Sequence, residues 1–140
     1  MTRTKVFCSL LILSLLVIFL PSSAIAQKYA HITEVTAEAE PTTYEGPCPK
    51  TLRFTGVITV DRGGLVKYHW THSDGKQRAP VSIRLGRPEA YTVHDTWTIG
   101  SASTPFHYNG WARLQMMTGS SRFAKVTFTV NCLPRRSQKK

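Results

Sequence analysis

The stretch LRFTGVITVDRGGLVKYHW, residues 52–70, decides the fold of this chain. After the turn at residues 61–64, Val66, Tyr68 and Trp70 share one face and alternate with polar or charged side chains. Before the turn, the alternation places five residues on one face: Leu52, Phe54, Gly56, Ile58 and Val60. A period of two is that of a half-buried β-strand, and the Gly-Gly step favours a tight turn. The stretch therefore predicts two antiparallel strands with a common apolar face.

Alternating segments continue along the rest of the chain. They predict further strands around residues 31–39, 81–85, 91–99, 111–117 and 124–130, with a Gly, Ser, Pro and Asn-rich loop over residues 100–110. Pro41 cannot donate a ladder hydrogen bond, so the first of these strands is expected at a sheet edge. About seven strands with one apolar face each require two sheets, or one closed sheet, around a shared core. The prediction is all-β: an immunoglobulin-like antiparallel β-sandwich with Trp70 in its core.

Two cysteines, Cys48 and Cys132, follow the N-terminal apolar segment. An even number of cysteines in an exported domain most often forms disulfides. In the chain-entropy model, a disulfide that closes the loop from Cys48 to Cys132 stabilises the fold by roughly 4 kcal/mol. No C-x-x-C motif accompanies the pair, which makes a zinc or redox site the less favoured interpretation. The bond would join the first loop to the last strand, and would not link the two sheets as it does in antibody domains.

The N-terminal residues 1–26 have the pattern of a secretory signal peptide. Arg3 and Lys5 precede an apolar run over residues 6–20, Pro21 ends it, and an Ala-Ile-Ala step follows. The run is shorter than the roughly 20 residues that span a bilayer, so an uncleaved anchor is the weaker alternative. We expect a secreted or periplasmic protein with no transmembrane segment after cleavage.

The predicted organisation is a signal peptide over residues 1–26, a sandwich domain over 27–134 and a basic tail over 135–140. The whole chain has a formal charge of +10. Four of the positive charges lie in the tail: Arg135, Arg136, Lys139 and Lys140. A segment with so few apolar groups is predicted to be disordered. It would add weak, salt-sensitive attraction to anionic surfaces, or act only as a solubilising terminus.

Several short motifs resemble those of small exported bacterial immunoglobulin-like domains. They cover most of the chain after residue 26 and are Gly46-Pro47-Cys48-Pro49, Phe54-Thr55-Gly56 with Ile58, Val66-Lys67-Tyr68-His69-Trp70, Ser73-Asp74-Gly75, Thr96-Trp97-Thr98, Gly110-Trp111 and Phe128-Thr129-Val130-Asn131-Cys132. The resemblance implies the sandwich fold. It implies no catalytic activity, because such domains have no assigned active site, and the fold itself carries many unrelated functions.

The pair most suggestive of catalysis is His94-Asp95, but neighbours in a strand point to opposite faces. Asp95 falls on the apolar face, where a carboxylate needs partners, so a bulge or a rim position is the simpler expectation. His69 and His72 lack metal-ligand spacing and are expected to be solvated. The chain shows no nucleophile elbow and no phosphate-binding loop. We predict no metal, no cofactor and no enzymatic activity.

Residues 104–111, TPFHYNGW, bring four ring-bearing side chains into the predicted loop. Loops on rigid sandwiches commonly carry binding, and aromatic anchors suit protein or sugar partners. Phe106, His107, Tyr108 and Trp111 are therefore the candidate binding residues. The alternative is that the rings fold back over the open end of the sandwich.

The sequence favours an exported, non-catalytic binding module that acts at the cell envelope or outside the cell. Its partner would be a protein or a glycan recognised by the loop, with the tail adding attraction to anionic surfaces. An exported proteinaceous inhibitor of a hydrolase is the alternative, and a hydrolase built on Asp95 and a histidine is a weaker third hypothesis. No nucleic-acid-binding motif is present, and export removes that class of specific partner.

Overall fold

A computed structural model describes residues 28–134, so the predicted signal peptide and basic tail lie outside the described residues. Eight strands build this part of the chain: β1 (His31–Glu40), β2 (Thr43–Pro47), β3 (Lys50–Arg62), β4 (Gly64–His72), β5 (Val81–Leu85), β6 (Glu89–Ile99), β7 (Phe106–Met116) and β8 (Phe123–Leu133). Residues 28–134 contain no helix of the length and apolarity needed to cross a bilayer.

The strands form two sheets that share one core. The smaller sheet has the order β1-β3-β6, and the larger has the order β2-β8-β7-β4-β5. Every pairing is antiparallel except that of β2, which runs parallel to β8. This arrangement confirms the predicted immunoglobulin-like β-sandwich.

The core is filled by the inward side chains that the alternation predicted. In β3 and β4, every second residue from Leu52 to Val60 and from Val66 to Trp70 is buried. Gly56 is an inward position without a side chain, and a Cβ there would press on Leu114 and lie 3.0 Å from Val93 and 3.1 Å from the ring of Trp70. The glycine therefore leaves the space that these three side chains fill.

The structure differs from the sequence prediction in the pairing and in the number of strands. The two strands predicted from residues 52–70, β3 and β4, lie in different sheets and do not pair as a hairpin. β2 is an additional strand, and β1 lies at the edge of the smaller sheet as predicted. After Pro41 the chain crosses from the smaller sheet to the larger one, where β2 pairs with β8 over five residues. The sequence of β2 shows little alternation of apolar and polar residues and ends in Gly46-Pro47. Its strand conformation therefore comes from the pairing with β8.

The predicted loop over residues 100–110 is wrong from residue 106 onward. β7 begins at Phe106, and each residue from there to Gln115 has a partner in β8. Asn109 and Gly110 disfavour strands by intrinsic propensity, but continuous pairing with β8 overrides that preference. The connection before β7 is correspondingly shorter than predicted.

The predicted disulfide between Cys48 and Cys132 is present, with the Cα atoms 5.4 Å apart and a sequence separation of 84. Cys48 follows β2 and Cys132 lies near the end of β8, so the bond ties the first loop to the last strand. Gly100 lies against this bond with φ +80°, and a Cβ there would be 2.9 Å from Sγ of Cys48. Only a residue without a side chain fits this position without displacing the disulfide.

Candidate functional site

The four predicted binding residues do not form one site. Because they lie in a strand and not a loop, successive side chains point to opposite faces. Phe106 and Tyr108 lie on the side of the core, in line with buried Gly110, whereas His107 and Trp111 lie on the outer side of the larger sheet. The expectation that these residues lie in a loop is therefore wrong, and their binding role stays a prediction, now divided between two faces of the sheet.

Tyr108 closes the end of the sandwich. Its ring meets that of Trp97 edge-on, with centroids 5.7 Å apart, and its hydroxyl lies 2.7 Å from Oγ of Ser73. That Oγ also accepts the backbone N–H of Trp111 at 3.1 Å. Phe106 stacks on Tyr108 at 5.6 Å but remains 40% exposed. The sequence left open that the aromatic rings cover the open end of the sandwich. Tyr108 does so, and Phe106 does so only in part.

A buried ion pair joins the two sheets beside this aromatic end. Nε2 of His72, at the end of β4, lies 2.7 Å from Oδ2 of Asp95 in β6, and the two side chains are 3% and 11% exposed. Nε of Arg78, from the connection after β4, donates to Oδ1 of Asp95 at 3.0 Å, and the guanidinium also donates to the carbonyl of Thr96. The expectation that His72 is solvated is wrong, because its partner Asp95 lies on the inward face of the opposite sheet.

The carboxylate of Asp95 is held in its ionised form. Burial by itself would raise the pKa of Asp95, but the hydrogen bond from His72, the backbone amide of Thr96 and the charge of Arg78 together lower the pKa below its ordinary value. An ionised carboxylate only accepts hydrogen bonds, so Nε2 of His72 carries the proton in this contact.

The geometry gives this ion pair a structural role. The imidazole of His72 stacks on Trp97 with centroids 4.6 Å apart and an interplanar angle of 6°. The neighbouring Ser73 directs its hydroxyl to Tyr108 and away from the imidazole. His94 lies on the outer face, 3.3 Å from the hydroxyl of Thr55, which agrees with the expectation that it cannot form a dyad with Asp95.

The outer face of the larger sheet carries a group that we name the Arg113 cluster: Trp111, Arg113, Phe123 and Lys125. Cζ of Arg113 lies 5.1 Å from the ring centroid of Trp111 and 4.7 Å from that of Phe123. Nζ of Lys125 lies 5.2 Å from the ring of Trp111. The β7–β8 register produces this arrangement, since Arg113 is opposite Lys125 and Phe123 is the diagonal neighbour.

The two cations of the Arg113 cluster have no acidic partner among residues 28–134. The ion pairs found in this part of the chain involve other residues. Nε of Arg113 is buried and makes no hydrogen bond, while the ring of Phe123 is 53% exposed. Cation–π contacts at exposed sites contribute about 0.5–1 kcal/mol each, so they orient the guanidinium without neutralising it. The cluster is therefore an oriented positive site open to solvent.

Charges are segregated between the two sheets. The strands of the larger sheet contain Glu45 as their one acidic residue against four basic ones: Lys67, Arg84, Arg113 and Lys125. The strands of the smaller sheet contain three basic residues (Lys50, Arg53 and Arg62) against six acidic ones: Glu34, Glu38, Glu40, Asp61, Glu89 and Asp95. Asp95 faces inward, but Glu34, Glu38 and Glu40 on β1 are exposed. The described sandwich thus has a basic outer face on the larger sheet and an acidic outer face on the smaller one.

A shallow groove runs past Trp111 on the basic face. Besides the ring itself, its outward lining consists of hydroxyl and amide groups from Thr42, Thr43, Asn109, Thr127 and Thr129. The hydroxyl of Thr129 donates to Oδ1 of Asn109 at 2.9 Å, which fixes the orientation of that amide. An aromatic ring, a set of hydroxyls and two free cations therefore meet at one place.

Sequence reasoning missed the Arg113 cluster because its members come from two strands whose register the sequence does not state. Taken one at a time, Arg113 and Lys125 do not stand out, because solvated charges are the ordinary content of an outer face. The detectable signal was the pattern Trp111-x-Arg113 facing Phe123-x-Lys125, which gains meaning only once β7 and β8 are paired.

No protein-family model matches the sequence, and no curated protein matches it. Among solved structures, the chain is similar to the CARDB domain of a protein from Pyrococcus furiosus, which was crystallised in complex with di-metal ions. The two share 15% sequence identity with a TM-score of 0.50, over 74% of this chain and 90% of that domain. At this identity the likeness establishes the fold alone, an immunoglobulin-like β-sandwich. No group of three or more His, Cys, Asp or Glu side chains in the described part of this chain is placed to hold a metal ion.

Proposed function

We propose that this protein is an exported, non-catalytic binding module that acts at the cell envelope or outside the cell. Its binding surface is the basic outer face of the larger sheet. The observation that carries the proposal is the guanidinium of Arg113, held between the rings of Trp111 and Phe123 with no carboxylate partner among the described residues. An oriented, unpaired cation between aromatic rings is the kind of anchor from which binding surfaces are built.

Two features support export. The N-terminal residues have the signal-peptide pattern, and the disulfide between Cys48 and Cys132 requires an oxidising compartment to persist. Small secreted sandwiches gain stability from such bonds. The site of action is accordingly the periplasm, the cell surface or the medium.

The buried ion pair supports a non-catalytic role. The hydrolase hypothesis needs Asp95 and a histidine, and the histidine that contacts Asp95 is His72. Both side chains are committed to each other, to Arg78 and to the ring of Trp97. A general base must reach a substrate proton, and a side chain 3% exposed beneath an indole ring does not. An Asp95→Asn variant that folds is therefore expected to bind its partner as the unmodified protein does.

The test is co-sedimentation of the purified protein with isolated envelopes at low and at high salt. A variant that ends at Pro134 removes the basic tail and serves as the control for non-specific attraction. Binding of both proteins that survives high salt supports a specific envelope partner. Binding that requires both the tail and low salt contradicts the proposal. No binding at either salt contradicts an envelope partner and favours a soluble target, such as the hydrolase of the inhibitor hypothesis.

A further inference from the structure

We infer that the Arg113 cluster and the adjoining groove form a binding site for an acidic polysaccharide, with the anionic group on the cations and the sugar hydroxyls in the groove. The inference rests on the proposed function and names the class of its ligand. Three properties of the described residues carry it: an unpaired guanidinium, a basic face and a hydroxyl-lined groove beside an aromatic ring.

The guanidinium of Arg113 suits a carboxylate or sulfate group. Its planar fork donates two parallel hydrogen bonds to such an anion. The rings of Trp111 and Phe123 lie near it on either side along the sheet, which limits the orientations that it samples. Less conformational entropy is lost on binding when the donor is already oriented. Lys125, directly across the strand pair, adds a second charge to the same anion.

The basic face favours a ligand with repeated charges over a single anion. Lys67 on β4 and Arg84 on β5 continue the positive charge beyond Arg113, and their strands are successive neighbours in the sheet. The partner of Arg113 on β4 is Thr71, so Lys67 lies four residues farther along that strand, and Arg84, opposite Leu65, lies two residues farther still. The charges from β8 to β5 therefore form an oblique row of roughly 25 Å. A polymer that runs obliquely over the strands meets several of them at once, whereas a small anion meets only one.

The groove favours a sugar polymer over an acidic peptide or a lipid surface. Its outward lining offers hydroxyl and amide groups, which exchange hydrogen bonds with a hydroxyl-rich ligand. Trp111 supplies a ring against which the apolar face of a sugar can pack. A lipid surface would instead require adjoining apolar side chains that enter the acyl region, whereas the exposed outward apolar residues of β8, Phe123 and Leu133, lie at opposite ends of that strand.

The experiment is titration calorimetry of the purified protein with polygalacturonate, and with uncharged dextran as the neutral polymer. We expect polygalacturonate to bind and dextran to bind far more weakly. Arg113→Gln should weaken binding at least about tenfold, since charge-assisted hydrogen bonds are lost. Arg53→Gln is the matched control, because it removes the same charge from the exposed opposite face and should change affinity less than about twofold. Arg113→Lys keeps the charge without the fork and should fall between them.

Several results would overturn the inference. Equal weakening by Arg53→Gln would mean that only net charge matters. If the protein binds polyglutamate as tightly as polygalacturonate, with the same dependence on Arg113, the ligand class is an acidic peptide. If it binds only vesicles of phosphatidylglycerol, the ligand is a lipid surface. Thermal melting followed by circular dichroism checks that each variant is folded. If the unmodified protein binds envelopes in high salt and Arg113→Gln binds them equally, the inference fails and the proposed envelope module stands. If neither protein binds envelopes, the envelope partner of the proposed function is contradicted.

Discussion

Nε2 of His72 lies 2.7 Å from Oδ2 of Asp95, and this contact joins the last residue of β4 in one sheet to β6 in the other. The remaining inward positions nearby are aromatic or aliphatic, so the pair is a polar link inside an apolar layer. Such a link costs desolvation energy but permits one relative placement of the sheets, because a shift of either strand would leave a buried charge without its partner.

Replacing Asp95 with Asn should destabilise the protein by about 3 kcal/mol near neutral pH, because a buried charge partner is removed from His72 and Arg78. Urea denaturation followed by tryptophan fluorescence measures the change. Glu38→Gln is the matched control, since Glu38 is exposed on β1 and makes no ion pair within the described residues. Equal stability of the two variants would show that the link contributes nothing.

The same pair predicts the acid sensitivity of the fold. The pKa of Asp95 is lower in the folded protein than in the unfolded chain, where it is about 3.9. Its contribution to stability is therefore complete above that value and is lost as the pH falls through the folded pKa. The difference in free energy of unfolding between the unmodified protein and Asp95→Asn should narrow below about pH 4. A difference that stays constant from neutral to acidic pH would contradict this assignment.

Tyr108 and Phe106 should differ sharply in their effect on stability. Tyr108→Ala removes a half-buried ring that contacts Trp97 and Phe128 and should cost about 3 kcal/mol. Tyr108→Phe removes only the hydrogen bond to Ser73 and should cost about 1 kcal/mol. Phe106→Ala removes a ring that is 40% exposed and should cost less than Tyr108→Ala. Denaturant midpoints of the three variants measure this order, and a larger loss from Phe106→Ala would show that the end of the sandwich is packed differently.

Gly100→Ala should lower the free energy of unfolding by about 2 kcal/mol or more. The backbone there has φ +80°, and the added methyl group would press on the disulfide sulfurs. Gly86→Ala is the control, because a Cβ at Gly86 meets nothing within 4 Å and the backbone is not left-handed. The melting temperature of Gly100→Ala should be clearly lower than that of Gly86→Ala. Similar melting temperatures would mean that the backbone after β6 adapts to the added methyl group without loss of stability.

Replacing both Cys48 and Cys132 with Ala should cost roughly 4 kcal/mol, since the bond closes a long loop in the unfolded chain. The unmodified protein under reducing conditions should match the double variant in its denaturation midpoint. If reduction leaves the midpoint of the unmodified protein unchanged, the disulfide does not contribute to stability.

The sequence was sufficient to predict those parts of the fold that depend on strong local patterns. β3 and β4 follow from the alternation around Phe54 and Trp70, because each of these strands has one face in the core and one face directed to solvent. The disulfide follows from the even number of cysteines. β2 and the first residues of β7 could not be predicted, because their strand conformation comes from pairing with β8 and is opposed by their Gly, Pro and Asn content.

The candidate site was harder to predict than the fold. The alternation placed Asp95 on the apolar face, but the expected bulge is absent, since the pairing of β3 with β6 continues unbroken through Asp95. The partner that makes the position tolerable, His72, lies on the other sheet and is 23 residues away in sequence. The Arg113 cluster likewise depends on which residues of β7 and β8 lie opposite each other. Contacts across strands are set by register, and alternation alone does not fix register between two amphipathic strands.

The segregation of charge between the sheets has a consequence for any anionic material that this protein covers. If the larger sheet faces the polymer, the outward side of the bound layer presents Glu34, Glu38 and Glu40 from β1. The coated material then keeps a negative exterior, and its particles should continue to repel one another. A chain that is basic by net charge would thus coat acidic material without flocculating it, as electrophoretic mobility of coated particles would reveal.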